Sequence, residues 1–154
     1  MADAAELIHA TVIARRGGGP DGGWRAVLLT GPSGAGKSDL ALRLFERGWR
    51  LVADDYAHAW ASGERLYARA PDAIFGRIEA RGVGLLRRGA LRFARAVLIA
   101  RCVDQAPERL PEPAFQTVSG VRLPLIAVEA LHASAPARID AALTSLGQDR
   151  PLAY

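Results

Sequence analysis

The apolar positions of this chain fall into short runs separated by glycine, proline and acidic residues. Leu7-Ile8-His9-Ala10-Thr11-Val12-Ile13-Ala14 predicts a first strand, and Trp24-Arg25-Ala26-Val27-Leu28-Leu29-Thr30 a second. The intervening Gly17-Gly18-Gly19-Pro20-Asp21-Gly22-Gly23 has turn composition, so the pair predicts a hairpin with a loose loop. The period then changes. Over Asp39–Arg47, Leu40, Ala41, Leu44 and Phe45 lie on one face of a helix, and Gly48 follows as its stop. Arg50-Leu51-Val52-Ala53 predicts a buried strand ending in Asp54-Asp55. Glu64 to Ala70 predicts a strand of another hairpin, while Arg77 to Leu86, with Glu79-Ala80-Arg81-Gly82-Val83-Gly84 inside it, predicts a loop or tight crossover. Leu91 to Val103 and Val121 to Val128 predict core strands. Pro136 to Leu146 predicts a closing helix with Ile139, Ala142 and Leu146 on one side. Strands outnumber helices, so the expected fold is α/β, one P-loop domain over 1–154 with a mixed, strand-rich sheet and few helices.

Composition narrows the class. Half of the 154 residues are hydrophobic and 23% charged, enough to bury a core. No apolar run reaches the roughly 18 residues of a membrane span. The first residues, Met1-Ala2-Asp3-Ala4-Ala5-Glu6, carry acid where a secretory signal is basic. Cys102 is the sole cysteine, so no internal disulfide is expected, which suits a reducing cytoplasm. The formal charge is only +4, and the basic residues are scattered among acids. A nucleic-acid face is therefore not expected. The basic residues carry a sharper signal. There are 20, and all but Lys37 are arginine. A compact ammonium on a flexible stem reaches phosphate oxygens beneath a tight loop where a guanidinium does not fit.

Lys37 lies in Gly31-Pro32-Ser33-Gly34-Ala35-Gly36-Lys37-Ser38, which satisfies G-x-x-x-x-G-K-[ST] at every fixed position. An apolar strand precedes it and an amphipathic helix follows. The glycines let the backbone wrap phosphates with its N–H groups turned inward, and the helix start adds its dipole. Lys37 is expected on the β- and γ-phosphates and the Ser38 hydroxyl on Mg²⁺. Asp54 and Asp55 end the next strand, Asp55 only 17 positions after Ser38. Adjacent carboxylates repel, which favours one of them as a base, the other orienting a cation or a side chain.

These residues together resemble a known family. The P-loop with Asp39-Leu40-Ala41-Leu42, then Arg47-Gly48 and Arg50-Leu51-Val52-Ala53-Asp54-Asp55-Tyr56, then Glu79-Ala80-Arg81-Gly82-Val83-Gly84, resemble HPr kinase/phosphorylase over roughly residues 7–146. That family phosphorylates a serine of the sugar-transport phosphocarrier HPr, using ATP and Mg²⁺, and removes the phosphoryl group by phosphorolysis. The resemblance implies a fold of the phosphoenolpyruvate carboxykinase-like type. It implies His9 as the catalytic histidine, Asp55 as proton acceptor with Asp54 beside it, Ser38 and Glu79 as Mg²⁺ ligands, and Arg109 as the catalytic arginine. It also implies an HPr-like partner and self-association, since the long form assembles into hexamers. The chain is similar to a short form limited to the catalytic domain. Gly17–Gly23 has the look of an insertion. Pro136-Ala137-Arg138 lacks the glycine of the family's C-terminal dephosphorylation segment, so kinase activity is expected more firmly than phosphorolysis. The rival readings are a nucleotide-sensing module without catalysis and a P-loop small-molecule kinase.

Overall fold

The computed structural model describes residues 4–17 and 23–146. Among them the strands are β1 (Glu6–His9), β2 (Thr11–Arg16), β3 (Trp24–Thr30), β4 (Arg50–Ala53), β5 (Tyr56–Ser62), β6 (Arg65–Arg69), β7 (Arg77–Ala80), β8 (Gly84–Arg87), β9 (Ala94–Val103), β10 (Ala114–Val118) and β11 (Val121–Glu129). The helices are α1 (Lys37–Phe45) and α2 (Ala135–Leu146). Nine strands form one mixed sheet in the order β1-β5-β6-β9-β3-β2-β4, with β11 added to β9 and β10 to β11. β7 and β8 pair separately.

Runs such as Val12-Ile13-Ala14 and Ala26-Val27-Leu28-Leu29 are apolar on both parities because the centre of the sheet is covered on both faces. Ile13, Val27, Leu29, Leu98 and Ala100 pack under Leu40 and Leu44 of α1 and Ile139 and Leu143 of α2. Val12, Ala14, Ala26 and Leu28 face the other way, against Ala57, Ala59, Leu66 and Ala68 of β5 and β6. The β1-β5-β6 arm curls back over the sheet, bringing β5 against β2 and β6 against β4. Each wholly buried Leu or Ile contributes about 1.5–3 kcal/mol, so both faces are needed to hold so small a domain.

The expected helices are present. α1 ends where Gly48 N donates to the Phe45 carbonyl (3.2 Å) and Trp49 N to that of Leu44 (3.3 Å), the paired bonds of a Schellman stop. Trp49 is thereby carried into the core, its indole donating to Asp140 on α2 at 2.8 Å. Asp140 also accepts from Arg15 Nη1 (3.0 Å) and from Arg47 Nε. Partial burial alone pushes the Asp140 carboxyl up. The hydrogen bonds from Arg47, Trp49 and Arg15, with the Arg47 charge, outweigh this and hold it below its ordinary 3.8.

Three expectations about elements need correction. The run 7–14 is not one strand, because the chain changes partners at Ala10: β1 pairs with β5, whereas β2 pairs with β3 and β4. The segment 77–86 is no loop. It is the β7–β8 hairpin, with Arg77 opposite Arg87 and Glu79 opposite Leu85, and its glycines serve the turn. The strand expected from Leu91 begins at Ala94, after residues that cross to Leu51 and the start of β4. Of the expected Gly17–Gly23 loop, 18–22 lie outside the described residues. No described helix is long and apolar enough to cross a membrane.

Candidate active site

β3, β9 and β11 run parallel, with Thr30 beside Arg101 and Val128 beside Cys102. β4 ends at the same edge, since it is antiparallel to β2 and β2 to β3. The P-loop, the Asp54-Asp55 corner and the start of β2 therefore meet at the carboxyl ends of the parallel strands, where open α/β sheets take ligands.

The loop Gly31, Pro32, Ser33, Gly34, Ala35, Gly36, Lys37 and Ser38 wraps toward the start of α1. A Cβ on Gly31 would lie 2.9 Å from the Cys102 carbonyl oxygen, and one on Gly36 only 2.8 Å from Leu131 Cδ2. Both positions also have positive φ, so no other residue fits without displacing its neighbours. Lys37 is buried and its Nζ donates to the carbonyls of Gly31 (2.8 Å) and Pro32 (2.9 Å), bridging the loop from beneath. Behind it sits Cys102, whose thiol burial pushes up to about 11 despite the opposing charges of Lys37 and Arg43. That thiol is inert.

Adjacent in sequence, Asp54 and Asp55 have different surroundings. Asp54 is buried, its Oδ1 accepting from the hydroxyls of Ser38 (2.6 Å) and Thr11 (3.0 Å) and its Oδ2 from the backbone N–H of Glu79 (3.1 Å). Asp54 thus ties the P-loop, β2 and β7 together. Asp55 has φ +68, a left-handed backbone rare outside glycine, and Tyr56 N closes back on the Asp54 carbonyl at 2.8 Å. This turn gives Asp55 a partner of its own. Its Oδ1 is 2.8 Å from His9 Nε2, and the pair is open to solvent. His9 lies opposite Tyr56 in the β1–β5 ladder and stacks on its ring, with centroids 5.2 Å apart. The two adjacent carboxylates thus take different partners, Asp54 the Ser38 and Thr11 hydroxyls and Asp55 the His9 ring, with left-handed backbone at Asp55 separating them.

Thr11 was not singled out in the sequence, and it joins the two acids. It is fully buried, its Oγ1 donating to Asp54 while accepting from Asp55 N at 3.2 Å. One hydroxyl therefore holds the buried carboxylate and the backbone of the exposed one. Its signal in the sequence is a hydroxyl two positions after His9 in an otherwise apolar strand.

The fold brings His9, Lys37, Ser38, Asp54 and Asp55 to one edge. Glu79 reaches this cluster through its backbone, while its side chain is exposed on the hairpin. Arg109 lies on the exposed connection 104–113 after β9. That connection leaves the same sheet edge, but no hydrogen bond or ion pair joins Arg109 to the other described site residues. Ser38, Asp54 and Glu79 offer oxygen donors, which suit a hard cation such as Mg²⁺. No group of three His, Cys, Asp or Glu among the described residues could hold a metal unaided.

The model of the HPr Serine kinase C-terminal domain matches residues 23–97, which contain the P-loop, Asp54-Asp55 and Glu79. An HPr kinase/phosphorylase of Leptothrix cholodnii is 42% identical over 120 residues, 68% of this chain and 37% of that protein. That of Clostridium perfringens is 42% identical over 72 residues, 47% of this chain and 24% of that protein. The chain thus spans little more than a third of such relatives at most. Among solved structures, the Hpr(Ser) kinase/phosphatase from Coxiella burnetii aligns with TM-score 0.74 at 21% identity, covering 92% of this chain and 95% of that one. This establishes the shared fold and bears out the expected strand-rich α/β architecture. His9 and Arg109 lie outside the span matched to the HPr kinase domain.

Proposed function

We propose that this chain is an ATP-dependent serine kinase of an HPr-like phosphocarrier protein. The observation that carries this reading is the His9–Asp55 pair, solvent-facing and 2.8 Å apart, beside a P-loop whose Ser38 is bonded to the buried Asp54. A nucleotide sensor has no use for an exposed carboxylate fixed on a strained turn next to its phosphate site.

In this reading Lys37 exchanges its two carbonyl partners for β- and γ-phosphate oxygens as the nucleotide seats on the loop. Ser38, with Asp54 behind its hydroxyl, and Glu79 on the neighbouring hairpin would hold Mg²⁺. The chemistry such a cation would supply is neutralisation of the charge that builds up on the phosphate oxygens during transfer. Asp55 takes the proton of the attacking serine hydroxyl, with His9 fixing its orientation. The serine oxygen bonds to the γ-phosphorus as the bond to the β–γ bridging oxygen breaks, and ADP leaves. Arg109 steadies the transferred charge if 104–113 folds over the bound nucleotide. Phosphorolysis by the same residues releases serine and pyrophosphate, Asp55 returning the proton while inorganic phosphate attacks.

The test is to mix the purified chain with Mg²⁺, ATP and an HPr-like phosphocarrier and weigh the acceptor by intact mass spectrometry. A gain of one acid-stable phosphoryl group is the expected result. An unchanged mass in the presence of demonstrable ATP binding refutes the kinase reading and favours a nucleotide sensor.

A further inference from the structure

Across the site edge the strands run β4, β2, β3, β9, β11. Asp54 and Asp55 follow β4 on one side of the P-loop, and the turn after β11 lies on the other. A triphosphate whose terminal phosphate is turned toward Asp55 has its nucleoside end turned toward β9 and β11. The β11 turn is built against the loop that would hold those phosphates. Besides the Leu131 contact, a Cβ on Gly36 would lie 3.3 Å from the Ala130 Cβ. The turn is also pinned from below. Arg43 of α1, held by Asp39 at 3.0 Å, donates to the carbonyl of His132 (3.0 Å) and to that of Ala130. The His132 ring is engaged within the turn, its Nδ1 accepting from Ser134 N at 3.1 Å. What the turn presents to solvent is the Leu131 side chain, 68% exposed on a fixed backbone beside the phosphate loop.

We infer that Ala130–His132 is the nucleoside subsite, with Leu131 packing against the flat face of the base or its ribose. This rests on the nucleotide reading of the P-loop given above. Ligand sites are largely apolar surfaces with a few placed polar groups, and here the phosphates supply the polar anchoring. Ala130 and Leu131 have no side-chain group that reads a base edge, and the His132 ring is held within the turn by Ser134. The subsite therefore takes adenine and guanine nucleotides about equally.

The experiment measures affinities of ATP, GTP and inorganic tripolyphosphate, each with Mg²⁺, by titration calorimetry on the wild type, Leu131→Ser and Leu131→Met. Leu131→Ser should weaken ATP and GTP alike by roughly tenfold, the worth of a partly buried aliphatic contact. It should leave tripolyphosphate unchanged, which also shows that the variant's loop is intact. Leu131→Met keeps the apolar contact and should bind all three as the wild type does. Equal losses for ATP and tripolyphosphate, or no loss for either, overturn the subsite. A wild type that binds tripolyphosphate and ATP equally well overturns the subsite but leaves the phosphate loop standing. One that binds neither overturns the nucleotide reading with it.

Discussion

The two ends of one sheet treat their aspartates in opposite ways. At the end where β4 begins, Asp140 is surrounded by Arg15, Arg47 and the Trp49 indole, and it fastens α2 to β2 and to the stop of α1. At the P-loop end, Asp54 is held by two hydroxyls and a backbone N–H, and Asp55 by a histidine. No arginine or lysine forms an ion pair with either among the described residues. The chain has arginine in plenty, so the difference is not one of supply. A carboxylate matched by guanidinium groups is committed to structure. One held by hydroxyls keeps its charge for a cation or a proton, which is what a phosphoryl-transfer site requires.

Replacing Asp55 by Asn tests this contrast most severely. The amide keeps the size of the side chain but cannot take a proton, so phosphoryl transfer to an HPr-like acceptor should fall by roughly 10²–10⁴-fold. Nucleotide affinity and melting temperature should stay close to wild type, because Asp55 is exposed and, among the described residues, its side chain bonds only His9. Parallel loss of nucleotide binding would move Asp55 to the structural side of the comparison.

Asp140→Ala should do the reverse. It strands two guanidiniums and an indole N–H, a loss of about 2–4 kcal/mol. For a domain of this size that lowers the melting temperature by roughly 5–15 °C. At a temperature where the variant is folded, its turnover should match the wild type. A fall in turnover without a fall in stability would show that the anchor couples to the site.

Thr11→Val is the finer probe, since it exchanges a hydroxyl for a methyl of the same shape. It removes the bonds to Asp54 and to the backbone of Asp55, and turnover should fall about tenfold, the worth of one buried hydrogen bond. Thr11→Ser restores the hydroxyl and should recover most of that loss, which a role in packing alone would not allow. The discriminating readout is turnover at saturating ATP. If the nucleotide KM rises and turnover is unchanged, Thr11 serves the phosphate loop and not the acid corner.

What could be read from the sequence divides along the same line. The P-loop and α1 were legible because their constraints are local: glycines at close approaches, one lysine, and an apolar face at helical spacing. Thr11 was not, because a threonine in an apolar strand passes for a β-branched strand former. Only the pairing of Val12 with Ala53 sets it beside Asp54. The Ala10 break was hidden for a similar reason, as nothing in the composition marks a change of partner. Gly82 and Gly84 disguised the β7–β8 hairpin as a loop, although Ile78, Ala80 and Leu86 mark its inner face. The Asp140 anchor joins residues as far apart as positions 15 and 140, beyond any local pattern.

The smallest effect lies in acid. The Asp140 carboxyl is held below its ordinary 3.8 in the folded protein, with burial opposing and the Arg47, Trp49 and Arg15 bonds prevailing. A carboxyl depressed on folding contributes stability that is fully present above its unfolded value and is lost as pH falls through the folded one. The melting temperatures of wild type and Asp140→Asn should therefore differ by a constant amount at neutral and mildly acid pH. They should converge only below pH 3.8, as the wild-type carboxylate takes up its proton. A gap that persists to the lowest measurable pH would mean that the anchor works through hydrogen-bond geometry, with its charge adding nothing. The two ends of the sheet would then differ in shape and not in electrostatics.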